Sequence, residues 1–141
     1  MKNFFQKLPL DIILRIIPYT YNVQNKNLLH DIINYKESKT TLLELYCHYW
    51  ITENGEDPDE DKHWIINDIF AYANNYKPTM CGYTPKFYNI FKRNTLLQSE
   101  EDIDTYVYNL ENKDVSTQIN IFLGLLTPKE RIGIITKKIY S

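Results

Sequence analysis

Apolar residues recur along this chain at the spacing of helix faces. Leu28, Leu29, Ile32 and Ile33 share one side of a helix predicted over residues 28–35. Residues 37–40, Glu-Ser-Lys-Thr, read as a turn, and Leu42, Leu45, Tyr46 and Tyr49 predict a further helix over residues 41–52. Ile65, Ile66, Ile69, Phe70 and Ala73 mark an amphipathic helix within residues 63–76. Thr84-Pro85 is a helix start followed by Phe87, Ile90 and Phe91. Ser99 is an N-cap with Glu100, Glu101 and Asp102 behind it, favourable beside the positive helix end, and Ile103, Tyr106, Val107 and Leu110 form the inner stripe. Ile119, Phe122, Leu123 and Leu126 fit i, i+3, i+4, i+7. Thr127-Pro128-Lys129-Glu130 is a capping box with proline at the first helical position, opening a last helix with Ile132, Ile135 and Ile139 inward. No stretch alternates with period two between hairpin turns. The pattern therefore predicts an all-α fold, a compact helical domain of about seven or eight helices.

A further helix, predicted ahead of these at residues 8–17, is anomalous. Residues 8–17 read Leu-Pro-Leu-Asp-Ile-Ile-Leu-Arg-Ile-Ile. Pro9 suits a first turn and Asp11 suits the positive helix end. Ile13, Ile16 and Ile17 form one stripe, Leu8 and Ile12 a second, with Leu10 and Leu14 between. A surface helix normally has one apolar face; this one needs cover on two or three, which points to a partner.

Composition narrows the classes. The 141 residues are 43% hydrophobic, enough for a core. The run at 53–62, Glu-Asn-Gly-Glu-Asp-Pro-Asp-Glu-Asp-Lys, is a loop of repelling carboxylates and the predicted join between two parts, 1–53 and 62–141, unless the chain is one continuous domain. A net charge of −2 gives no global case for nucleic acid or an anionic membrane. Cys47 and Cys81 make no disulfide framework; they read as free thiols in a reducing compartment, with Cys47 expected buried. Asp11 and Arg15 interrupt the only early apolar run, so neither a signal peptide nor a membrane span is expected, and the expected location is cytoplasmic.

Candidate chemistry is sparse. The carboxylates at 56–61 lack the alternation of a calcium loop. His30, His48 and His63 show no zinc spacing, and His48 beside Cys47 would point about 100° away from it on a helix. The four glycines form no phosphate loop or nucleotide fingerprint. Twelve tyrosines with Lys86, Lys92 and Arg93 could stack on single-stranded nucleic acid, but rings at helical spacing are more often core. No enzyme, metal or cofactor is expected.

Leu8, Pro9, Asp11, Ile12, Ile13, Ile16 and Ile17 spell Leu-Pro-x-acid-Ile-Ile-x-x-Ile-Ile, which resembles the opening of an F-box. The Tyr- and Asn-rich stretch after it, with His30-Asp31-Ile32-Ile33-Asn34-Tyr35 and Tyr49-Trp50, is similar to F-box-like proteins of giant DNA viruses of the mimivirus kind. The resemblance covers about the first 50 residues, and Trp50 stands further from Leu8-Pro9 than the family's tryptophan does. It implies an F-box-like N-terminal part that docks on the Skp-type adaptor of a cullin–RING ubiquitin ligase and presents an unknown target protein, in the host cell cytoplasm. The residues implied for the adaptor are Leu8, Pro9, Ile12, Ile13, Ile16 and Ile17; core packing is the competing role, most of all for Ile13 and Ile17. The alternative function is a viral structural or self-assembling helical protein, a homo-oligomer with no link to ubiquitin.

Overall fold

A computed structural model describes residues 26–140. The described residues are helical without a strand: α1 Lys26–Tyr46, running on into a π-helical segment Cys47–Glu53, α2 Glu60–Ala73, a 3₁₀ turn Thr79–Cys81, α3 Pro85–Phe91, α4 Glu100–Leu110, α5 Val115–Leu125 and α6 Pro128–Ile139. The all-α class holds, with six α-helices among the described residues where about seven or eight were expected. The predicted helix over residues 8–17 lies outside the described residues.

One discrepancy in the count has a local cause. The predicted turn at 37–40 is helical, and the flanking helices are one. The Thr40 hydroxyl donates back to the Lys36 carbonyl at 3.0 Å, and Ser38 is buried. Residues that favour turns in isolation are thus accommodated inside a helix. Beyond Tyr46 the backbone widens into the π-helical segment. Cys47 is exposed rather than buried, because it lies off the face that Leu42 and Tyr46 turn to the core. Gly55, at φ +67, ends the segment in a conformation most residues avoid.

The chain divides into two compact units, Met1–Asn34 and Tyr35–Ser141. In the described part of the first, Leu28, Leu29, Ile32 and Ile33 are 40–51% exposed. The second has a continuous core. Leu42 and Tyr46 of α1 share it with Ile65, Ile69, Phe87, Phe91, Val107 and Phe122, so the acidic loop, narrowed to residues 54–59, joins two sides of one core. α2 packs on α5 at its centre. Phe122 lies edge-on to Phe70 and Phe91, with centroids at 4.9 and 5.0 Å.

The last helix is rotated from its predicted phase. Ile132 and Ile139 are exposed, whereas Arg131 and Ile134 are buried and Ile135 is half-buried. Burial of Arg131 is supported by its Nε–H, which donates to the Leu123 carbonyl at 2.8 Å near the end of α5. An acceptor eight residues away cannot be read from periodicity, so the phase of this helix was set by its isoleucines alone.

The expected caps at Thr84, Ser99 and Thr127 are present; Asp114, which caps α5, was not anticipated. Thr127 accepts from the Glu130 N–H at 3.2 Å, and Glu130 accepts in return from the Thr127 N–H at 2.8 Å. The Arg93 guanidinium pairs with Glu130 at 2.6 Å and donates to the Leu125 carbonyl at 2.9 Å. Burial pushes the Glu130 carboxyl up, but Arg93 and Thr127 hold it below the usual glutamate value. A lowered folded pKa stabilises above the ordinary glutamate range, and that contribution is lost as pH falls through the lowered value. Thr127→Ala is expected to cost about 1 kcal/mol, the usual loss at an N-cap, read from the denaturation midpoint. An unchanged midpoint would mean that α6 does not depend on this cap.

Candidate functional site

The six residues implied for a partner, Leu8, Pro9, Ile12, Ile13, Ile16 and Ile17, lie outside the described residues. The described residue run nearest to them carries a feature of its own. Leu28, Leu29, Ile32 and Ile33 recur three and four apart, so they form one aliphatic stripe on α1, and each is at least 40% exposed. Single exposed aliphatics are ordinary; here four lie on one exposed stripe.

In the second unit, several unusual local structures meet around the end of α6. Tyr46 closes α1, and the π-helical segment after it carries Tyr49 and Trp50. Trp50 stacks on Trp64 of α2 at 4.4 Å, with planes 4° apart. Its Nε1–H is buried without a hydrogen-bond partner among the described residues. Lys138 lies over the rings of Tyr46 and Tyr49, at 4.6 and 4.7 Å, and Lys137 over Tyr76 at 3.6 Å. Between α2, the turn at Tyr76 and α6 there is a cavity of about 170 Å³, walled by Tyr46, Tyr72, Tyr76 and Ile134, with Asp68, Lys137 and Lys138 as its charged groups.

The hydrogen bonding of this cavity is settled by burial. The Tyr46 hydroxyl donates to Asp68 Oδ2 at 2.5 Å. Burial first, then that bond and the Asp68 charge, push the Tyr46 phenol far above its usual value, so it stays a neutral donor. Burial also raises Tyr72, helped by Glu130. Lys86 donates to the Tyr72 carbonyl at 2.9 Å and lies over the Tyr72 ring, which fixes the end of α2 from outside.

The turn after α2 is built from one buried side chain. Asn74 is fully buried; its Nδ2 donates to the carbonyls of Lys77 and Gly82 at 2.9 and 3.2 Å, and its Oδ1 accepts from the Thr84 N–H at 2.7 Å. It ties the end of α2 to the cap of α3. Asn75 takes a left-handed conformation, and the N–H groups of Tyr76 and Asn75 return to the carbonyls of Ala71 and Tyr72. This is a Schellman cap, with asparagine in the place glycine usually fills.

The chain matches no protein-family model, no curated protein and no solved structure. Its sites are therefore read from its own residues. Among the described residues no three His, Cys, Asp or Glu side chains converge as a metal site would require, and no helix is long and apolar enough to cross a membrane. His48 pairs with Glu53 at 3.1 Å on the surface. The sequence drew attention to Tyr46 and Tyr49 only as part of a helix stripe. The convergence of Tyr46, Lys137 and Lys138 on one cavity joins residues up to 92 positions apart, from Tyr46 to Lys138, and had no local signal.

Proposed function

We infer that this chain is a non-enzymatic protein-interaction module: an F-box-like adaptor whose first segment docks a Skp-type subunit of a cullin–RING ubiquitin ligase, while the helices of the second unit present a target protein. The observation that carries this reading is the exposed stripe Leu28, Leu29, Ile32 and Ile33, which follows the Leu-Pro-x-acid-Ile-Ile motif in the chain. An adaptor-docking helix needs apolar residues that a partner completes, and this region of the chain supplies them in excess of what it covers. The second unit supports the reading by having a core of its own, so it can serve as a folded platform.

The same stripe would serve self-assembly, and light scattering after size exclusion separates the two. The reading predicts a monomer alone and a one-to-one complex when a Skp-type adaptor is added. A stable homo-oligomer that ignores the adaptor would replace it with the self-assembling alternative.

A further inference from the structure

We propose that the outward face of Trp64, with the carboxylates around it, binds an arginine side chain in a basic segment of a partner protein. The inference rests on the second unit alone and does not depend on adaptor docking.

Trp50 and Trp64 form an aromatic platform. Trp50 stacks on one face of Trp64, and that packing buries the Trp50 Nε1–H with no acceptor among the described residues. A buried donor without a partner costs free energy, so the stack persists against a penalty. What it achieves is presentation: Trp64 is held flat against Trp50 and is still 37% exposed. Among the described residues no ring or cation covers its other face; Lys138 is engaged with Tyr46, Tyr49 and Trp50. An indole face attracts a cation more strongly than the other ring types do.

The charge around this platform is negative. Residues three and four apart on a helix are neighbours, so Glu60, Asp61 and Asp68 border Trp64 on α2. Lys62, the one Lys or Arg of α2, is two residues from Trp64 and so on another side, and it pairs with Asp59 at 3.1 Å. Asp68 accepts the Tyr46 hydroxyl. Asp61 differs: it is 7% exposed, yet no hydrogen bond or ion pair from a described residue reaches its carboxylate. Buried polar groups almost always have a partner, so a carboxylate held without one is a place for a donor. The exposed loop before α2 adds Glu56 and Asp57, with which no described cation pairs.

A flat ring face edged by carboxylates selects arginine. A guanidinium is planar, stacks on an aromatic face and directs its N–H groups outward in its own plane, toward carboxylates at the edge. Its donors can serve Asp61 and Glu60 together. A quaternary ammonium would use the ring but leave the carboxylates without donors, and lysine would bring a point charge without the flat face. Further basic residues beside that arginine complement Glu56 and Asp57.

The test titrates the full chain with a capped triarginine peptide, against capped trilysine of equal charge and triglutamate, followed by NMR of backbone amides and of the two indole N–H resonances; Trp50 and Trp64 are the only tryptophans. Triarginine is expected to saturate with the larger indole shift on Trp64, trilysine to bind about threefold more weakly, and triglutamate to leave both indoles unmoved. Asp61→Asn is expected to weaken triarginine about tenfold, the scale of one charge-assisted hydrogen bond. Its thermal unfolding should stay the same or rise, because a carboxylate without a partner is removed, whereas a structural role would lower it. Trp64→Leu should bind about threefold more weakly, the scale of an exposed cation–π contact, read on the α2 amides. The proposal is overturned if triarginine moves neither indole at millimolar concentration, if trilysine binds as tightly, or if Asp61→Asn folds and binds like the parent. Should Trp64→Leu fail to fold, Asp61→Asn and the position of the shifts on the unaltered chain decide.

Discussion

Phe122→Ala is expected to destabilise the protein by about 3–5 kcal/mol, the range for truncating a buried phenylalanine. Phe122 has no exposed surface. Its ring is edge-on to Phe70 of α2 and Phe91 of α3, and 6.2 Å from Phe87, which itself stacks on Tyr83 at 4.1 Å. Each neighbour is held by further rings, so the vacated space cannot collapse easily, and the cavity cost adds to the lost transfer energy. Edge-to-face contacts contribute about 0.5–1.5 kcal/mol beyond area alone. The measurement is the denaturation midpoint, with an unchanged slope showing that the unfolded state is not the cause. A loss under about 1 kcal/mol would mean that the α2–α5 contact is not the centre of the core.

Asn74→Ala is expected to cost about 2–4 kcal/mol, because the carbonyls of Lys77 and Gly82 and the N–H of Thr84 lose their partner together. Asn74→Asp should cost a similar amount, since an ionised carboxylate accepts but cannot donate to two carbonyls. Hydrogen exchange gives the local signature. The Thr84 amide is expected to be protected in the parent and to exchange at close to the loop rate in Asn74→Ala. Unchanged protection would show that the α2–α3 connection is held by something other than this side chain.

The legible part of the fold is the part encoded within a few residues. The stripes through Ile65 and Ile69, Phe87 and Ile90, Ile103 and Val107, and Ile119 and Phe122 are core because period 3.6 puts each set on one face. The caps at Ser99 and Thr127 were readable because donor and acceptor are three residues apart. Errors arose where a distant partner overrode a local preference. Arg131 turns α6 so that Ile132 faces water, because the Leu123 carbonyl gives its guanidinium a buried acceptor. Cys47 was expected buried from the habit of its residue type, although the stripe through Leu42 and Tyr46 already turns it outward. The cavity was invisible because its walls come from α1, α2, a turn and α6, and Tyr76 owes its position to an asparagine cap that propensity reads as a loop.

Adaptor docking is tested most directly in the first segment itself. Leu8→Ala combined with Pro9→Ala should separate binding from folding, because truncating an interface anchor can remove about 2 kcal/mol of affinity, roughly thirtyfold, with little effect on the monomer. Capture of a Skp-type adaptor and thermal unfolding would be measured on the parent and on the double variant. The account predicts that the parent captures the adaptor, and that the double variant unfolds at the same temperature and loses it. A parent that captures no adaptor, together with a double variant that unfolds early or dissociates an oligomer, would contradict it.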